Sequence, residues 1–323
     1  MNTMSIFHKF EPIELFPVPQ SADISKQYPD KEEINLAIRR YNVVVNVFGQ
    51  LIDAIEEANA NDNKWFIFSE KIGKKYLTQA YTLQHIFSNE VFIIKKGGKK
   101  LFVDFSSTFS LLRVQLENYA VFFHLFVDRC HIEEKILRFW LWQLDGLRER
   151  AKYIKPQDKE RIEAFKNNPN NIENCISAIN KCTYFKNLDA GIQDYLIKCS
   201  LWRFNDYSLK NTAKNKIRLA IDTMVMNTGI KETHFEDWYA FTSTHTHTNY
   251  WSVIQNDSFT DEEKMTTEYI AVMQAIYVTS FFIKDFCKIY EVARTFFNSL
   301  PINERDLINS FDVRGRNNSP PET

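Results

Sequence analysis

Glycine is scarce in this chain, with 8 among 323 residues. Tight turns between β-strands usually need glycine, because it adopts positive φ angles without steric cost. The scarcity therefore argues against a sheet-rich fold with many short turns. Hydrophobic residues nevertheless make up 44% of the chain and aromatic residues 15%, which is enough for a packed core and argues against disorder. We predict an all-α fold, a multi-helix bundle with long central helices.

Neither sign of charge dominates, because 40 lysines and arginines are balanced by 41 aspartates and glutamates. The formal net charge of −1 gives no electrostatic reason to expect nucleic acid or an anionic membrane as the partner. A local basic patch would still allow nucleic acid to bind. Composition therefore does not identify the partner: a membrane is not expected, while nucleic acid and self-association are left open.

Cysteines are few, and long apolar runs are absent. The five cysteines form no CxxC pair, so they predict no zinc module, and their odd number suits reduced thiols inside a cell. The N-terminus lacks the basic segment and apolar stretch of a secretory signal. The longest strongly apolar stretch, Tyr269–Ile283, is shorter than the roughly 20 residues that a membrane-spanning helix needs. We interpret it as a buried helix and expect a cytoplasmic protein.

Proline and asparagine indicate how the chain is divided. Four of the nine prolines lie in residues 1–29, which we predict to be an extended N-terminal arm. Residues 30–311 should form one helical domain. The run NNPNN at 167–171 is the best candidate for a flexible break between subdomains. Residues 312–323 should be a disordered tail.

Apolar residues recur at helical spacing in several long segments. Asp30 and Glu33 form the capping-box pattern that begins a helix. Two aromatic-rich helices are predicted near 109–128 and 266–297, and they should contribute to the core. Two β-prone runs on either side of a Gly-Gly pair predict a small β-hairpin near 91–105. Its lysine-rich tip lacks the Gly-Lys-Ser/Thr ending of a P-loop, so we interpret it as a solvated turn rather than a phosphate site.

Four ionisable residues fall on one side of the predicted helix 109–128. With 100° per residue and Arg113 as zero, Glu117, His124 and Asp128 lie within about 60° of it. Arg113 and Glu117 are four residues apart and can pair directly. The stripe is either an ordinary solvated face or a polar seam inside the bundle, which would need partners from another helix. Spacing alone does not decide between a site for an anion or acid–base group and a lock between helices.

A second polar segment, WYAFTSTHTHTNYW at 238–251, contains His245 and His247. On a helix these two side chains point about 200° apart, so they could not share one metal ion, whereas in an extended segment they would share a face. No neighbouring acid completes a known metal motif. The segment is therefore a metal site, a polar helix end that reaches Arg113 and Glu117, or a surface loop. We expect no metal and no cofactor.

The combination LLRVQLENYAVFFHLF and YAFTSTHTHTNY resembles the DUF5677-like group of bacterial helical proteins of unknown function. In that group a helix with Arg and Glu four residues apart precedes a Tyr-x-x-x-Ser segment that is shortly followed by His. The resemblance covers about half of the chain and implies an all-helical bundle, without naming an activity. The residues that match this pattern are Arg113, Glu117, Tyr239, Ser243, and His245 or His247.

A broader likeness is to HEPN-type helical domains, some of which are ribonucleases. Their catalytic pattern is an Arg followed closely by His, and this sequence departs from it, since His124 comes eleven residues after Arg113. At most the fold is shared.

We therefore predict a binding or interaction module of a bacterial system. The alternative is a HEPN-like enzyme acting on RNA or another phosphate-bearing substrate. Its candidate catalytic residues are Arg113, Glu117, His245 and His247. Polar residues expected beside them, in the seam, are His124, Asp128, Tyr239 and Ser243.

Overall fold

The computed structural model describes most of the chain between residues 29 and 312. The described ranges are 29–58, 66–88, 91–95, 98–153, 155, 157, 159–230, 232–246, 250, 252–253 and 258–312. The predicted arm and tail lie outside these ranges except for their residues 29 and 312.

The described residues form an all-α multi-helix bundle, as predicted. A short 3₁₀ helix at Lys214–Lys216 and a π-helical turn at Phe123–Val127 supplement the α-helices. The α-helices are α1 Lys31–Glu57, α2 Ile67–Ser88, α3 Phe105–Phe122, α4 Ile132–Ala151, α5 Lys159–Ala164, α6 Asn168–Lys181, α7 Thr183–Lys186, α8 Ala190–Cys199, α9 Asp206–Asn211, α10 Ile221–Asn227, α11 Glu232–Thr246, α12 Asp261–Ile289, α13 Glu291–Ser299 and α14 Ile302–Ser310.

The small β-hairpin lies where the sequence predicts it. Strand β1 (Val91–Lys95) pairs antiparallel with β2 (Gly98–Phe102), with Val91 opposite Phe102. Residues 96 and 97 at its tip lie outside the described ranges. The hairpin therefore connects α2 to α3 without interrupting the helical architecture.

Local capping chemistry sets the start of two long helices. At α1 the Asp30 side chain accepts the Glu33 amide at 3.0 Å, and the Glu33 carboxylate accepts the Asp30 amide at 2.8 Å. This confirms the predicted capping box. Thr260 and Glu263 form the same reciprocal pair at the start of α12.

The predicted helix 266–297 was wrong at both ends. Because of the Thr260 cap, α12 begins at Asp261, and it ends at Ile289, where Tyr290 adopts extended backbone angles and separates it from α13. Its residues Ala271–Ile276 are all buried, as predicted for a core helix. By length and composition alone α12 could cross a membrane, and 83% of its apolar window is buried inside the structure.

One compact unit contains α1, α2 from Gly73, the hairpin, α3 up to Leu116, and α11–α14. In it α1 packs against α12, α13 and α14. The Phe282 ring of α12 lies 4.7 Å from the Tyr76 ring and 5.3 Å from the Phe48 ring, measured between centroids. The Tyr76 hydroxyl also hydrogen-bonds Thr279 at 2.9 Å. This aromatic cluster joins α1, α2 and α12 in the core of the unit.

The second unit contains the start of α2, α3 from Glu117, and α4–α10. Here α4 packs against α6, α7 and α8. Arg148 of α4 donates to the Ile197 carbonyl at 2.5 Å and to the Ser200 hydroxyl at 2.7 Å. A cation at this position stabilises the carbonyl end of α8, where Ser200 has a positive φ of 47°.

The predicted flexible break at 167–171 is instead the start of a helix. Asn168 is the first residue of α6, and Pro169 occupies a first-turn position, where its missing N–H costs nothing. Arg150 donates to the Asn168 side chain at 2.9 Å. Residues on both sides of 167–171 belong to the second unit.

Candidate functional site

The predicted ionisable stripe is divided by a change of helix type. The α-helical geometry of α3 ends at Phe122, and residues 123–127 form a π turn in which the Asp128 amide donates to the Phe123 carbonyl at 2.8 Å. A π turn has more residues than an α turn, so the spacing of 100° per residue fails beyond it. The prediction of one regular helix over 109–128 was wrong, because tertiary contacts of the 123–128 segment override its local α-helical pattern.

Arg138 of α4 binds the far end of the stripe. Its side chain is completely buried, and its Nη1 donates to Asp128 Oδ2 at 2.7 Å and to the His124 carbonyl at 3.0 Å. Its Nη2 pairs with Glu134, one turn earlier on α4. We call Arg138, His124, Asp128 and Glu134 the Arg138 network. Arg138 and Glu134 were not predicted from the sequence, although their spacing of four residues is that of a helical ion pair.

Hydrogen bonding fixes the tautomer of His124. Its Nε2 lies 3.2 Å from the Trp202 carbonyl, which can only accept, so Nε2 carries the proton. Its Nδ1 then accepts from Arg138 at 3.3 Å. Burial first, and the Arg138 charge second, hold the pKa of His124 well below its usual range. His124 is therefore a neutral element of the network.

The buried charges of the Arg138 network hold the π turn against α4. Burial raises the pKa of Glu134, and the Arg138 charge opposes that effect without cancelling it. A buried arginine needs such partners, because an unpaired charge in the interior costs several kcal/mol, of order 3–5 when a partner is removed. We interpret the network as a structural lock between two elements of the second unit.

Arg113 makes different contacts, with α11. Its Nη1 donates to Ser243 Oγ at 3.1 Å and its Nη2 to the Tyr239 hydroxyl at 3.0 Å. Its Cζ lies 4.9 Å from the centroid of the Tyr239 ring, a cation–π distance. All three side chains are half-buried. The structure thus brings together Arg113, Tyr239 and Ser243, which we call the Arg113 cluster.

Helices α3 and α11 also meet through aromatic side chains. Phe109, one turn before Arg113 on α3, contacts Phe241 and His245 of α11. The Phe109 and Phe241 rings are perpendicular, with centroids 4.8 Å apart. Because Phe241 lies between Tyr239 and Ser243 in the sequence of α11, the helix pair carries polar and aromatic contacts side by side.

His245 is part of these aromatic contacts. Its ring centroid is 4.6 Å from Phe241, 5.1 Å from Phe109 and 6.3 Å from Phe105. The residue is only 3% exposed, and its Nε2 is buried without a hydrogen-bond partner. Burial lowers the pKa of His245 to about 4. His245 is therefore a neutral imidazole at pH 7, poorly suited to taking up a proton there.

The other two candidate catalytic residues are Glu117 and His247. Glu117 is half-buried on α3, one turn after Arg113. His247 lies outside the described residues. Within the described ranges, no group of three or more His, Cys, Asp or Glu side chains is placed to hold a metal ion.

Comparison with protein-family models, with curated proteins and with solved structures finds no match to this chain. The DUF5677-like and HEPN-like resemblances therefore stay predictions.

The sequence pattern predicted some of the residues of this site and not others. Arg113, Tyr239, Ser243 and the later histidines were selected because they are polar residues in apolar helices. The aromatic surroundings of His245 were missed, because Phe105, Phe109 and Phe241 look like ordinary core residues. Their spacing could have indicated these surroundings, because residues 105, 109 and 113 are four apart and therefore share one face of α3.

Replacing His245 with phenylalanine should remove a pH-dependent loss of stability. In the folded chain the pKa of His245 is about 4, below the value of about 6.5 in an unfolded chain. The unfolded state therefore binds more protons between these values, and stability falls as the pH falls from about 6.5 to about 4. We expect the wild type to lose about 2 kcal/mol of unfolding free energy from this residue between pH 7.5 and pH 5.

Urea unfolding at the two pH values measures this effect. The His245→Phe variant should match or exceed the wild type at pH 7.5 and exceed it by about 2 kcal/mol more at pH 5. Equal differences at both pH values would show that His245 titrates alike in the folded and unfolded chains.

Proposed function

We propose that this chain is a binding protein whose ligand is a small anion held at the Arg113 cluster. The observation that carries the proposal is the pair of hydrogen bonds from Arg113 to Ser243 and Tyr239. They fix a half-buried guanidinium in one orientation, which lowers the entropy that a ligand would otherwise lose in ordering it.

Arg113 and Ser243 offer donors to the same ligand. The Ser243 hydroxyl accepts from Arg113 through an oxygen lone pair, so its own O–H can rotate toward an anion. A guanidinium binds carboxylate and phosphate oxygens with fixed, planar geometry. Arg113 and Ser243 can thus donate together to one carboxylate or phosphate group, beside the Tyr239 ring.

The properties of the neighbouring His245 favour a binding function over a catalytic one. A general acid–base group works best with a pKa near the operating pH, whereas the pKa of His245 is about 4 and its ring is enclosed by phenyl groups. A neutral, buried imidazole can accept or donate one hydrogen bond without changing its charge. This suits a residue that recognises a ligand.

The Arg113→Gln variant should bind inorganic phosphate and acetate at least tenfold more weakly than the wild type. Hydrogen bonds to a charged partner contribute about 1.5–3 kcal/mol each, and every 1.4 kcal/mol is about tenfold in affinity. Arg113→Lys keeps the charge but loses the planar pair of donors, so it should fall between the two. Isothermal titration of each full-length protein measures the affinities.

Arg39→Gln is the matched control, because Arg39 is exposed on α1 of the same unit and its loss changes the net charge equally. Its anion affinity should equal that of the wild type. The proposal is wrong if the folded wild-type protein binds neither anion, or if both Gln variants lose affinity equally.

An enzyme acting on RNA is the second candidate function. It is favoured by the contact of Arg113 with Ser243, which brings α3 to the segment that carries the later histidines. Incubation with a labelled single-stranded RNA tests it. Cleavage by the wild type that is lost in Arg113→Gln and kept in Arg39→Gln would support the enzyme.

A cytoplasmic location is part of the same proposal. All five cysteines are free thiols, which suits a reducing compartment.

A further inference from the structure

A short segment of the second unit concentrates positive charge. Residues 203–219, with the sequence RFNDYSLKNTAKNKIRL, hold five basic side chains and one acidic side chain. The acid, Asp206, pairs with Lys210 at 2.8 Å and accepts from the Tyr184 hydroxyl at 2.7 Å. The segment, which we call the basic loop, therefore has a formal net charge of +4 in a chain whose total is −1.

The basic loop is held in place at its ends and by its own apolar side chains. The Leu219 amide donates to the Arg203 carbonyl at 2.8 Å, which closes the loop. Phe204, Leu209 and Ile217 are buried, with at most 3% of each exposed. The backbone that carries the charges is thus fixed before any partner binds, which reduces the entropy lost on binding.

Three cations of the basic loop are exposed to solvent, namely Lys214, Lys216 and Arg218. Lys214 and the Asp189 carboxylate both approach Gly191 at the start of α8. Among the residues that the structure describes, however, no carboxylate lies within ion-pairing distance of any of the three cations. Exposed cations of this kind can neutralise the phosphates of a nucleic acid and release its counterions.

Tyr207 adds an exposed aromatic ring to the same loop. It is 69% exposed on α9, and Lys210, three residues later, is its neighbour on the surface of that helix. The bases of a single-stranded nucleic acid stack on such rings, whereas the bases of a duplex are already stacked on one another. The ring therefore favours a single strand over a duplex.

An anionic membrane would also be attracted to the cations of the loop. Membrane binding through a surface segment relies on apolar side chains that insert among the lipids, but Phe204, Leu209 and Ile217 are buried in the protein. A single-stranded nucleic acid would use both the cations and Tyr207, so it accounts for more of the loop than a membrane does.

We propose that the basic loop is a binding surface for single-stranded nucleic acid. Lys214, Lys216 and Arg218 neutralise phosphates, and a base stacks on Tyr207. Phosphates and ring faces are common to all nucleotides, so the surface binds without strong sequence preference. The loop belongs to the second unit and does not include Arg113, so this proposal is independent of the proposed anion site.

Fluorescence anisotropy with labelled oligonucleotides of mixed sequence and the full-length protein tests the cations. The triple variant Lys214→Gln, Lys216→Gln, Arg218→Gln should bind more weakly than the wild type. The slope of log affinity against log salt concentration should also become shallower by about 2, because each phosphate contact with a single strand contributes about 0.7. The matched control removes three exposed lysines of the same unit, Lys155, Lys159 and Lys181, and should bind as the wild type does.

Replacing Tyr207 with alanine tests the base contact. The variant should bind single strands about tenfold more weakly, as expected for the loss of one stacked base, and should bind a duplex of the same sequence as the wild type does. Tyr153→Ala is the control, because Tyr153 is 66% exposed in the same unit. Single-stranded RNA and DNA of one sequence are titrated separately. The tighter of the two identifies the polymer, and either result supports the proposal.

The proposal is overturned if the wild type binds neither single strand, if both triple variants lose affinity equally, or if Tyr207→Ala binds single strands as tightly as the wild type. Binding to phosphatidylserine vesicles without binding to oligonucleotides would assign the loop to a membrane instead. Arg113→Gln should bind oligonucleotides normally, and the loop triple variant should bind inorganic phosphate normally. Failure of one proposal is therefore distinguishable from failure of the other.

Discussion

Replacing Arg138 with methionine is expected to lower the free energy of unfolding by about 3–5 kcal/mol. The reason is the completely buried guanidinium, which is bound by Asp128, Glu134 and the His124 carbonyl. Without it, Glu134 is left as a buried acid lacking its cation, and the π turn loses its link to α4. Urea or guanidinium unfolding at pH 7 measures the change.

Arg129→Met is the control, because Arg129 is exposed beside Asp128 in the same unit. It should change stability by less than about 0.5 kcal/mol. An Arg138→Met variant within about 1 kcal/mol of the wild type would mean that the network contributes little net stability, as happens when hydrophobic replacement compensates for a buried ion pair. In the Arg138→Met background, replacing Glu134 with Gln should recover part of the stability that Arg138→Met is expected to remove, because it removes the acid left without a cation.

Replacing Phe282 with alanine is expected to lower the free energy of unfolding by about 3–5 kcal/mol. Phe282 is fully buried and packs against the rings of Phe48, Tyr76 and Phe286, so its removal leaves a cavity shared by α1, α2 and α12. The helices cannot close that cavity without disturbing several contacts, which is why the loss exceeds the simple transfer energy of the ring.

Two further variants define the effect at Phe282. Phe282→Leu keeps much of the volume and should cost clearly less than Phe282→Ala. Leu36→Ala, on the exposed side of α1, should have little effect, since Leu36 is already 40% exposed. A cost for Phe282→Ala no greater than that for Leu36→Ala would contradict the assignment of this cluster as the core of its unit.

Local patterns predicted the helical class of the fold and several details of its helices. The Asp30–Glu33 capping box acts within one turn, so two residue types at one spacing were sufficient to place the start of α1. The hairpin followed from two β-prone runs around a Gly-Gly pair for the same reason. These features depend on neighbours in the chain.

Features that depend on contacts between distant parts of the sequence were either not predicted or predicted at the wrong residues. No proline or glycine marks the π turn after Phe122, and its geometry involves Arg138 of the next helix. The end of α12 at Ile289 is likewise not marked by a proline or glycine. The helix ends there because Tyr290 adopts extended backbone angles, which the local sequence does not predict. A helical wheel assumes one regular helix, so it grouped Arg113 with His124 and Asp128, which the fold uses in separate places.

The candidate site shows the same division. Sequence spacing selected Arg113, Tyr239 and Ser243, and the structure places these three in contact. Sequence spacing could not show that His245 is surrounded by three phenylalanines or that its Nε2 is buried, because those facts arise only from the packing of α3 against α11. For that reason a catalytic role of His245, which the sequence suggests, is less well supported than a binding role.

The most direct test of the anion site is the spectrum of the Arg113 guanidinium itself. Its side-chain ¹⁵N resonances can be assigned by their loss in Arg113→Lys and followed in the full-length protein during titration with inorganic phosphate at constant ionic strength. Binding at the Arg113 cluster predicts a saturable shift of the Arg113 signals while the exposed Arg39 signals stay unchanged. Arg113 signals that do not move, or that drift without saturation together with those of Arg39, would contradict it.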